Sequence, residues 1–573
     1  MVIVKTGRGY HMAQVDGGRL FARALKREGV EYIFVLAGGH IMPIFYGCRA
    51  EGIEVIDFRH ENSATYAADA YARVSGKPGV VITTAGPGIT HTVTAMSEAY
   101  AQGVPLIQIG GASPAVENET GPLQDLNTLE IMSTVSKWAR KIHHVHRIPE
   151  YVAMAYRHAF DATPGPVYLE IAADVLSKSV DEDTVSYPQK YRTDAQPFGD
   201  PSLIEKAADL LAAARTPVMV LGEGARFTAR YGEAIAELSD YLKMPVMAQP
   251  MCRGLFADEE ANPLFTLGLG MAGADVVLLL SVNNDYRVLK LKPPLVPANA
   301  KLIQVNPDIT RIGYNAPAEV GIVGGAGAVA MQILEAVKKR TAKREDLTWV
   351  NTARQIAGFI EAGYEEGFRS DAVPMNPGRC AYEVGRFLAT SGRDWTVVCD
   401  GGDAAQWIKQ AAIARRPGQI LNYGPNGTIG TGPGFTIGAW MANKKPVLYY
   451  TGDGSFGFYG MELETCEKFG IPVVCVISND SSWGMIKLSE QFVNPDEIRE
   501  RGHCGVELCH MREYEKMAAV WGGYGEQVRF PEDIVPAIER AAATGKPSII
   551  NVEVDKHSMS PITKMFGDSL QKK

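Results

Sequence analysis

The chain has 573 residues, 46% hydrophobic and 21% charged, with 57 Lys and Arg against 65 Asp and Glu for a formal net charge of -8. At roughly 150 residues per domain this length calls for three large or four ordinary domains, which excludes a small binding module, and the apolar content excludes a disordered chain. The acidic balance offers no overall basic field, so no nucleic-acid partner is expected, and no apolar run approaches the roughly 20 residues of a membrane span. The opening MVIVKTGRGYHM lacks the apolar stretch of a signal peptide, and eight irregularly spaced cysteines suit a reducing cytoplasm better than a disulfide framework.

In chain order, the run Glu54 to Phe58 (EVIDF) has strand length and leads through Arg59, His60, Glu61 and Asn62 into the helical stretch Ser63 to Val74. A local pattern then recurs: a Pro, a short apolar run, and Gly, Asn or Asp at a turn. It occurs at Pro105 with LIQIGG, Pro217 with VMVLGEG, Pro446 with VLYYTGDG and Pro472 with VVCVISND. Such runs, separated by amphipathic stretches such as Ile204 to Ala214, predict buried parallel strands alternating with helices. The polar, Pro-containing stretch Ser186 to Ser202 reads as a linker, with Asp200 and Pro201 as cap and first turn of the next helix, and the charge run Lys338 to Asp346 reads as a second. The expected fold class is α/β: three open parallel-sheet units at residues 12–185, 201–337 and 371–555, then a mixed basic tail, residues 556–573. Ligands of open α/β sheets sit beyond the carboxyl ends of the strands, so the glycine-rich turns are where chemistry is sought.

The sharpest of these turns is Gly452-Asp453-Gly454-Ser455 after the strand VLYYT, with Asn479 and Asp480 at the end of the next strand, VVCVIS. One helix, Met461 to Phe469, fits between them, so both turns fall on one edge of one sheet. Asp453 and Asp480 are then hard oxygen donors for one Mg²⁺, and the free N–H groups after Gly454 cradle a diphosphate.

This motif resembles the signature of the thiamine diphosphate-dependent enzymes, and the resemblance extends over almost the whole chain. It implies a pyrimidine-binding, a central and a diphosphate-binding unit, with Mg²⁺ held by Asp453, Asp480 and the main-chain carbonyl of Ser482. Glu61 falls where the family has the Glu that bonds N1′ of the cofactor's pyrimidine. Ile429 falls where a bulky apolar residue lies under the cofactor, and Gly402, Asp403, Gly454 and Ser455 fall among the diphosphate contacts. The resemblance also implies a homodimer or homotetramer, since the family builds its site between two subunits.

Within that family the segment Phe456 to Thr465 and the run Leu302 to Val305 are similar to the 2-hydroxyacyl-CoA lyase and oxalyl-CoA decarboxylase group. His91 resembles the lyases, where acetolactate synthases have Asn; Gln124 is shared by both. Leu123 replaces a decarboxylase Tyr, and Ser489 stands where acetolactate synthases have Trp. Glu490 is expected to reach over the cofactor as a proton donor or acceptor. The group binds ADP in its central unit, but Asn306 takes the place of the ribose-binding Asp, with Asp308 as substitute; the tail is expected as a frayed end or a lid over the CoA chain. The reading is a lyase that cleaves a 2-hydroxyacyl-CoA to an aldehyde or ketone and formyl-CoA, the rival an acetolactate synthase-like 2-oxoacid decarboxylase or carboligase. A nicotinamide dehydrogenase is disfavoured because Gly222 and Gly224 are followed by Phe227 where its fingerprint needs a third Gly.

Overall fold

The computed structural model describes residues 14–227, 231–256, 263–264 and 269–571, so the opening segment and the last two residues of the tail lie outside the described residues. Within them the chain is organised by three six-stranded parallel sheets. The N-terminal sheet runs, edge to edge, Glu54–Asp57, Tyr32–Val35, Gly79–Thr83, Leu106–Ala112, Pro166–Ala172 and Trp138–Ile142. The C-terminal sheet runs Ile420–Asn422, Thr396–Cys399, Val447–Gly452, Val473–Asn479, Ser548–Glu553 and Gly525–Val528. Numbered along the chain within each unit, both have the order 2-1-3-4-6-5 and reverse direction between their first and third strands. The central sheet runs Pro263–Leu264, Val246–Ala248, Pro217–Leu221, Val276–Leu280, Lys301–Asn306 and Val320–Val323, which is 3-2-1-4-5-6. The Val-, Ile- and Leu-rich strands are buried because helices cover both faces.

The helix Glu61–Ser75 departs from the usual amphipathic pattern: residues 61–73 are all buried. One face covers its own sheet and the other crosses Gly432–Asn443 of the C-terminal unit. The crossing is close because Gly434 and Gly438 bring backbone to backbone; a Cβ on Gly438 would fall 2.0 Å from the Ala67 carbonyl oxygen. Alanines 64, 67, 68 and 70 supply the matching small surface.

The segment between the first two units carries no regular element from residue 186 to 200, and Asp200 caps Pro201–Ala213 through the N–H groups of Ser202 and Leu203. The charge run is a docked connection rather than a free linker. Arg340 pairs with Glu205 and Asp209, while Arg344 donates to the carbonyls of Leu211, Ala212 and Ala214, satisfying the end of Pro201–Ala213. After it comes Thr348–Phe368, a helix that the sequence reading left between units. Its Trp349 Nε1 donates to Pro217 O of the central unit at 2.8 Å, and its Tyr364 and Phe368 enter the C-terminal core. Between the two C-terminal turns the helix expected over Met461 to Phe469 is Leu463–Lys468, and a further helix, Asp453–Tyr459, precedes it.

All three units meet at Arg73. Its guanidinium is buried, bonds both oxygens of buried Asp69, Gln102 Oε1 (3.1 Å) and Asn422 O (2.8 Å), and lies 4.8 Å from the Phe435 ring centroid. Arg226 of the central unit donates to the carbonyls of Arg73 and Val74. Removing the cation strands Asp69 without water or counter-charge. Arg73→Met is therefore expected to cost about 3–5 kcal/mol in denaturant unfolding, with part regained in the Asp69→Asn/Arg73→Met double variant. An unchanged midpoint in the single variant would contradict this role.

Candidate active site

The N-terminal turn is built at the carboxyl edge of its sheet. The strand Glu54–Asp57 ends, His60 caps the next helix by accepting from Asn62 N, and Glu61 takes the first helical position. Its carboxyl group is buried, and Oε2 lies 2.9 Å from His91 Nδ1. The His91 side chain is half exposed and so stands between Glu61 and the outside. Gln124, at a left-handed φ of 61°, backs onto this turn, since a Cβ on Gly86 would come within 3.0 Å of Gln124. His60, Glu61 and His91 have their donor atoms within 4.8 Å of one another. The two imidazoles nevertheless face each other, with centroids 4.9 Å and planes 31° apart, so their in-plane lone pairs run side by side rather than converge on one ion.

Sequence reasoning missed what holds this turn. Buried Glu462 accepts from Arg59 N, His60 N and Thr465 Oγ1, and burial pushes its carboxyl up to about 7. Asn62 reaches Tyr459 OH, whose ring lies against His60. Glu462 and Tyr459 belong to the segment that starts at Asp453, so the turn carrying Glu61 is fastened to the C-terminal unit. Nothing in local sequence marks a contact across 400 residues.

The turn at Asp453 lies where strand order reverses, between Thr396–Cys399 and Val447–Gly452, and Asp480 ends the neighbouring strand Val473–Asn479. Asp453 opens its helix, buried, and its carboxyl group faces that of Asp480; burial and this neighbour push it well above the usual carboxylate range. Burial pushes Asp480 up to about 6, although its Oδ1 accepts from Ser482 N at 2.9 Å. The surrounding glycines let neighbouring side chains pack directly against the backbone. A Cβ on Gly401 (φ 90°) would sit 3.1 Å from Ser455 Oγ, and one on Gly454 would meet the Trp483 ring at 2.8 Å. Asp400, a second residue the sequence reading overlooked, is fully buried and accepts from Gly430 N and Gly432 N, fixing the loop that carries Ile429.

The sequence matches "Thiamine pyrophosphate enzyme, N-terminal TPP binding domain" over residues 15–131, the central domain of the same enzymes over 204–333, and their "C-terminal TPP binding domain" over 400–552. The chain belongs to the thiamine pyrophosphate enzyme family. Among its relatives, an acetolactate synthase large subunit of Mycobacterium tuberculosis is 31% identical over 544 residues, 94% of this chain and 96% of that protein. Human 2-hydroxyacyl-CoA lyase 1 is 28% identical over 565 residues (95% and 95%), and oxalyl-CoA decarboxylase of Escherichia coli is 27% identical over 554 (95% and 96%).

The residues fit the family's cofactor. Two buried carboxyl groups side by side call for a divalent cation, and the glycine-preceded N-termini of Asp403–Ala411 and Asp453–Tyr459, which have no side-chain cap, suit an anion. Three expectations meet a different placement. The Asp403 carboxylate is spent on Ser560 N, Ser560 Oγ, Thr563 Oγ1 and Trp407 Nε1, leaving only its main-chain N–H for a diphosphate. The same bonds anchor the tail, whose helix Pro561–Gln571 packs on Gly484–Val493, so the tail up to residue 571 is docked on the C-terminal unit. Glu490 is paired with His503 Nδ1 at 2.8 Å.

The central unit holds a separate cleft of about 1070 Å³ beyond the carboxyl ends of its strands, lined by Gly224, Ser281, Asn306 and Gly325 and walled by the N-terminal unit. Asp308 does not line it; its carboxylate is turned to Thr310 N and Oγ1, capping a short turn.

Because Asp453 and Asp480 ionise less readily folded than unfolded, their contribution to apoprotein stability declines as pH rises, that of Asp480 through about 6, and a divalent cation offsets this by letting both ionise. Mg²⁺ is expected to raise the melting temperature at about pH 7.5 and hardly at about pH 5. Equal shifts at both values would argue against the pair as ligands.

Proposed function

We propose that this protein is a Mg²⁺- and thiamine diphosphate-dependent carbon–carbon lyase that cleaves a 2-hydroxyacyl-CoA to an aldehyde or ketone and formyl-CoA, or runs the reverse condensation. The observation that carries the reading is His91 Nδ1 at 2.9 Å from Glu61 Oε2, at the position where the sequence resembles the lyases. Relatives named 2-hydroxyacyl-CoA lyase, aligned over 95% of the chain, support the substrate class.

In this reading Asp453, Asp480 and the Ser482 carbonyl hold Mg²⁺. Main-chain N–H groups of Gly402, Asp403, Gly454 and Ser455 hold the diphosphate, and Ile429 supports the rings. When bound, thiamine diphosphate supplies a nucleophilic carbon and an electron sink. Glu61 would hold a proton for exchange with the cofactor's pyrimidine, and half-exposed His91, whose Nδ1 faces Oε2, would pass it in or out. Gln124 orients the substrate oxygen from the loop behind Gly86. The docked placement of Glu490 leaves it outside this scheme.

A homodimer or homotetramer is part of the proposal, supported by the exposed Phe458 and Met461 beside the Asp453 turn. Eight free thiols support a reducing, cytoplasmic setting, and none of the helices among the described residues is long and apolar enough to cross a membrane. The second reading, a 2-oxoacid carboligase acting without CoA, is favoured by the 31% identity to the mycobacterial acetolactate synthase.

With cofactor and Mg²⁺ present, straight and branched 2-hydroxyacyl-CoA substrates are expected to release formyl-CoA, read by mass spectrometry. Acetolactate or acetaldehyde formed from pyruvate, with the thioesters untouched, would instead establish the second reading. Glu61→Gln is expected to lower turnover at least about a hundredfold while cofactor binding stays measurable. Near-normal turnover in that variant would remove Glu61 from the proton path.

A further inference from the structure

Residues 423–431, between the strand Ile420–Asn422 and the helix Gly432–Asn443, form neither helix nor strand, and they carry Ile429. Ile429 is half-buried and joins none of the hydrophobic clusters of the core among the described residues, so core packing does not set where it stands. Its two chain neighbours are held instead, each by a buried carboxyl group. Gly430 N donates to Asp400 Oδ1 at 3.1 Å within the C-terminal unit, and Thr428 Oγ1 donates to Glu98 Oε2 at 3.0 Å in the N-terminal unit.

Glu98 lies on the helix Val93–Gln102 and is fully buried. Its Oε1 accepts from Gln102 Nε2 at 2.9 Å, and Arg73 fixes the orientation of that amide by donating to Gln102 Oε1 at 3.1 Å. With Oε1 occupied, Oε2 faces across the boundary between units to Thr428. The loop comes this close because Gly424 has no side chain; a Cβ there would fall 2.1 Å from Glu98 Oε1 and 2.0 Å from Gln102 Nε2. Two more bonds brace the stretch from outside its unit, Asn426 Nδ2 to Ser97 Oγ and Tyr286 OH of the central unit to Pro425 O, both at 3.2 Å. Those two are exposed. The Glu98 bond is the one withdrawn from water and adjacent to Ile429, where a polar contact holds its geometry best.

We propose that Glu98 is a positioning residue for the cofactor. Through Thr428 it fixes the backbone on one side of Ile429, as Asp400 does on the other, and so makes thiamine diphosphate binding by the C-terminal unit depend on the N-terminal unit. Glu98 acts through Thr428 and is not a catalytic residue. The proposal rests on the reading that sets Ile429 under the cofactor, and it is independent of whether the substrate is a CoA thioester or a 2-oxoacid.

The dissociation constant of thiamine diphosphate, measured by calorimetry on the purified full chain with Mg²⁺, tests it. Thr428→Val keeps the side-chain shape and deletes the donor; it is expected to weaken cofactor binding about three- to tenfold, the range of one hydrogen bond, with an unchanged melting curve of the apoprotein. Thr428→Ser keeps the hydroxyl and is expected to restore the affinity. Glu98→Ala is expected to weaken binding by a similar factor, and the Glu98→Ala/Thr428→Val double variant no further than either single one. With cofactor saturating, kcat of Thr428→Val is expected within about twofold of wild type, so that the loss appears in the KM for cofactor. Wild-type affinity in Thr428→Val, an equal loss in Thr428→Ser, or losses that add in the double variant would each overturn the role of Glu98, and the first two need no Glu98 variant to fold. No cofactor binding by the wild-type chain would overturn the placement of Ile429 as well. Failure to form formyl-CoA while these affinity ratios hold would overturn the lyase reading alone.

Discussion

A guanidinium withdrawn from water at the meeting point of three sheets constrains what is built around it. Arg73 is tolerable there because Asp69, one turn earlier on the same helix, neutralises it, and because the Asn422 carbonyl and Gln102 Oε1 take the donors of Nη1. Satisfying it requires the N-terminal helix and the C-terminal strand end to be in place together, and the central unit's Arg226 bonds the main-chain carbonyl of the same residue. The close crossing of Glu61–Ser75 with Gly432–Asn443 belongs to the same arrangement, and Glu61 opens that helix. Its position is therefore set by packing along the entire helix.

The two halves of the candidate site solve different physical problems. Around Asp453 the binding groups are backbone N–H groups and two carboxylates, and glycines expose the backbone to its neighbours. Side-chain identity matters little there except at the carboxylates, where the charge density of a cation has to be met. Around Glu61 the groups are titratable side chains held within hydrogen-bonding distance of one another. Glu462 links the halves: a single buried carboxylate accepting two backbone N–H bonds of the Arg59–His60 turn makes the position of Glu61 depend on the segment that begins with Asp453.

The α/β class and the repeated strand pattern were legible because a buried parallel strand leaves a continuous apolar run with Gly or Asp at its end. The motif at Asp453 and Asp480 was legible for a related reason, as anion and cation binding at strand ends demands particular residues at short range. Asp400, Glu462, Asn62 and Tyr459 were not legible, because their partners lie far along the chain and their own neighbourhoods read as ordinary helix or turn. The charge run after residue 338 was misleading, since the same composition serves a solvated linker and a set of arginines that cap and pair with a helix.

What the sequence by itself determined was the alternation of strands and helices, the three-unit organisation and the residue types able to hold a metal diphosphate, because each depends on periodicity or on neighbours a few positions apart. The tertiary structure decided which side chains remain free to act. It spent the Asp403 carboxylate on Ser560 and Thr563, the Glu490 carboxylate on His503, and the Asn306 oxygen on Asp308 N, while leaving the Glu61–His91 pair at the edge of the outside. A hydrogen-bonding group can serve a ligand only with the valences its own fold has not used, and that accounting closes only in three dimensions.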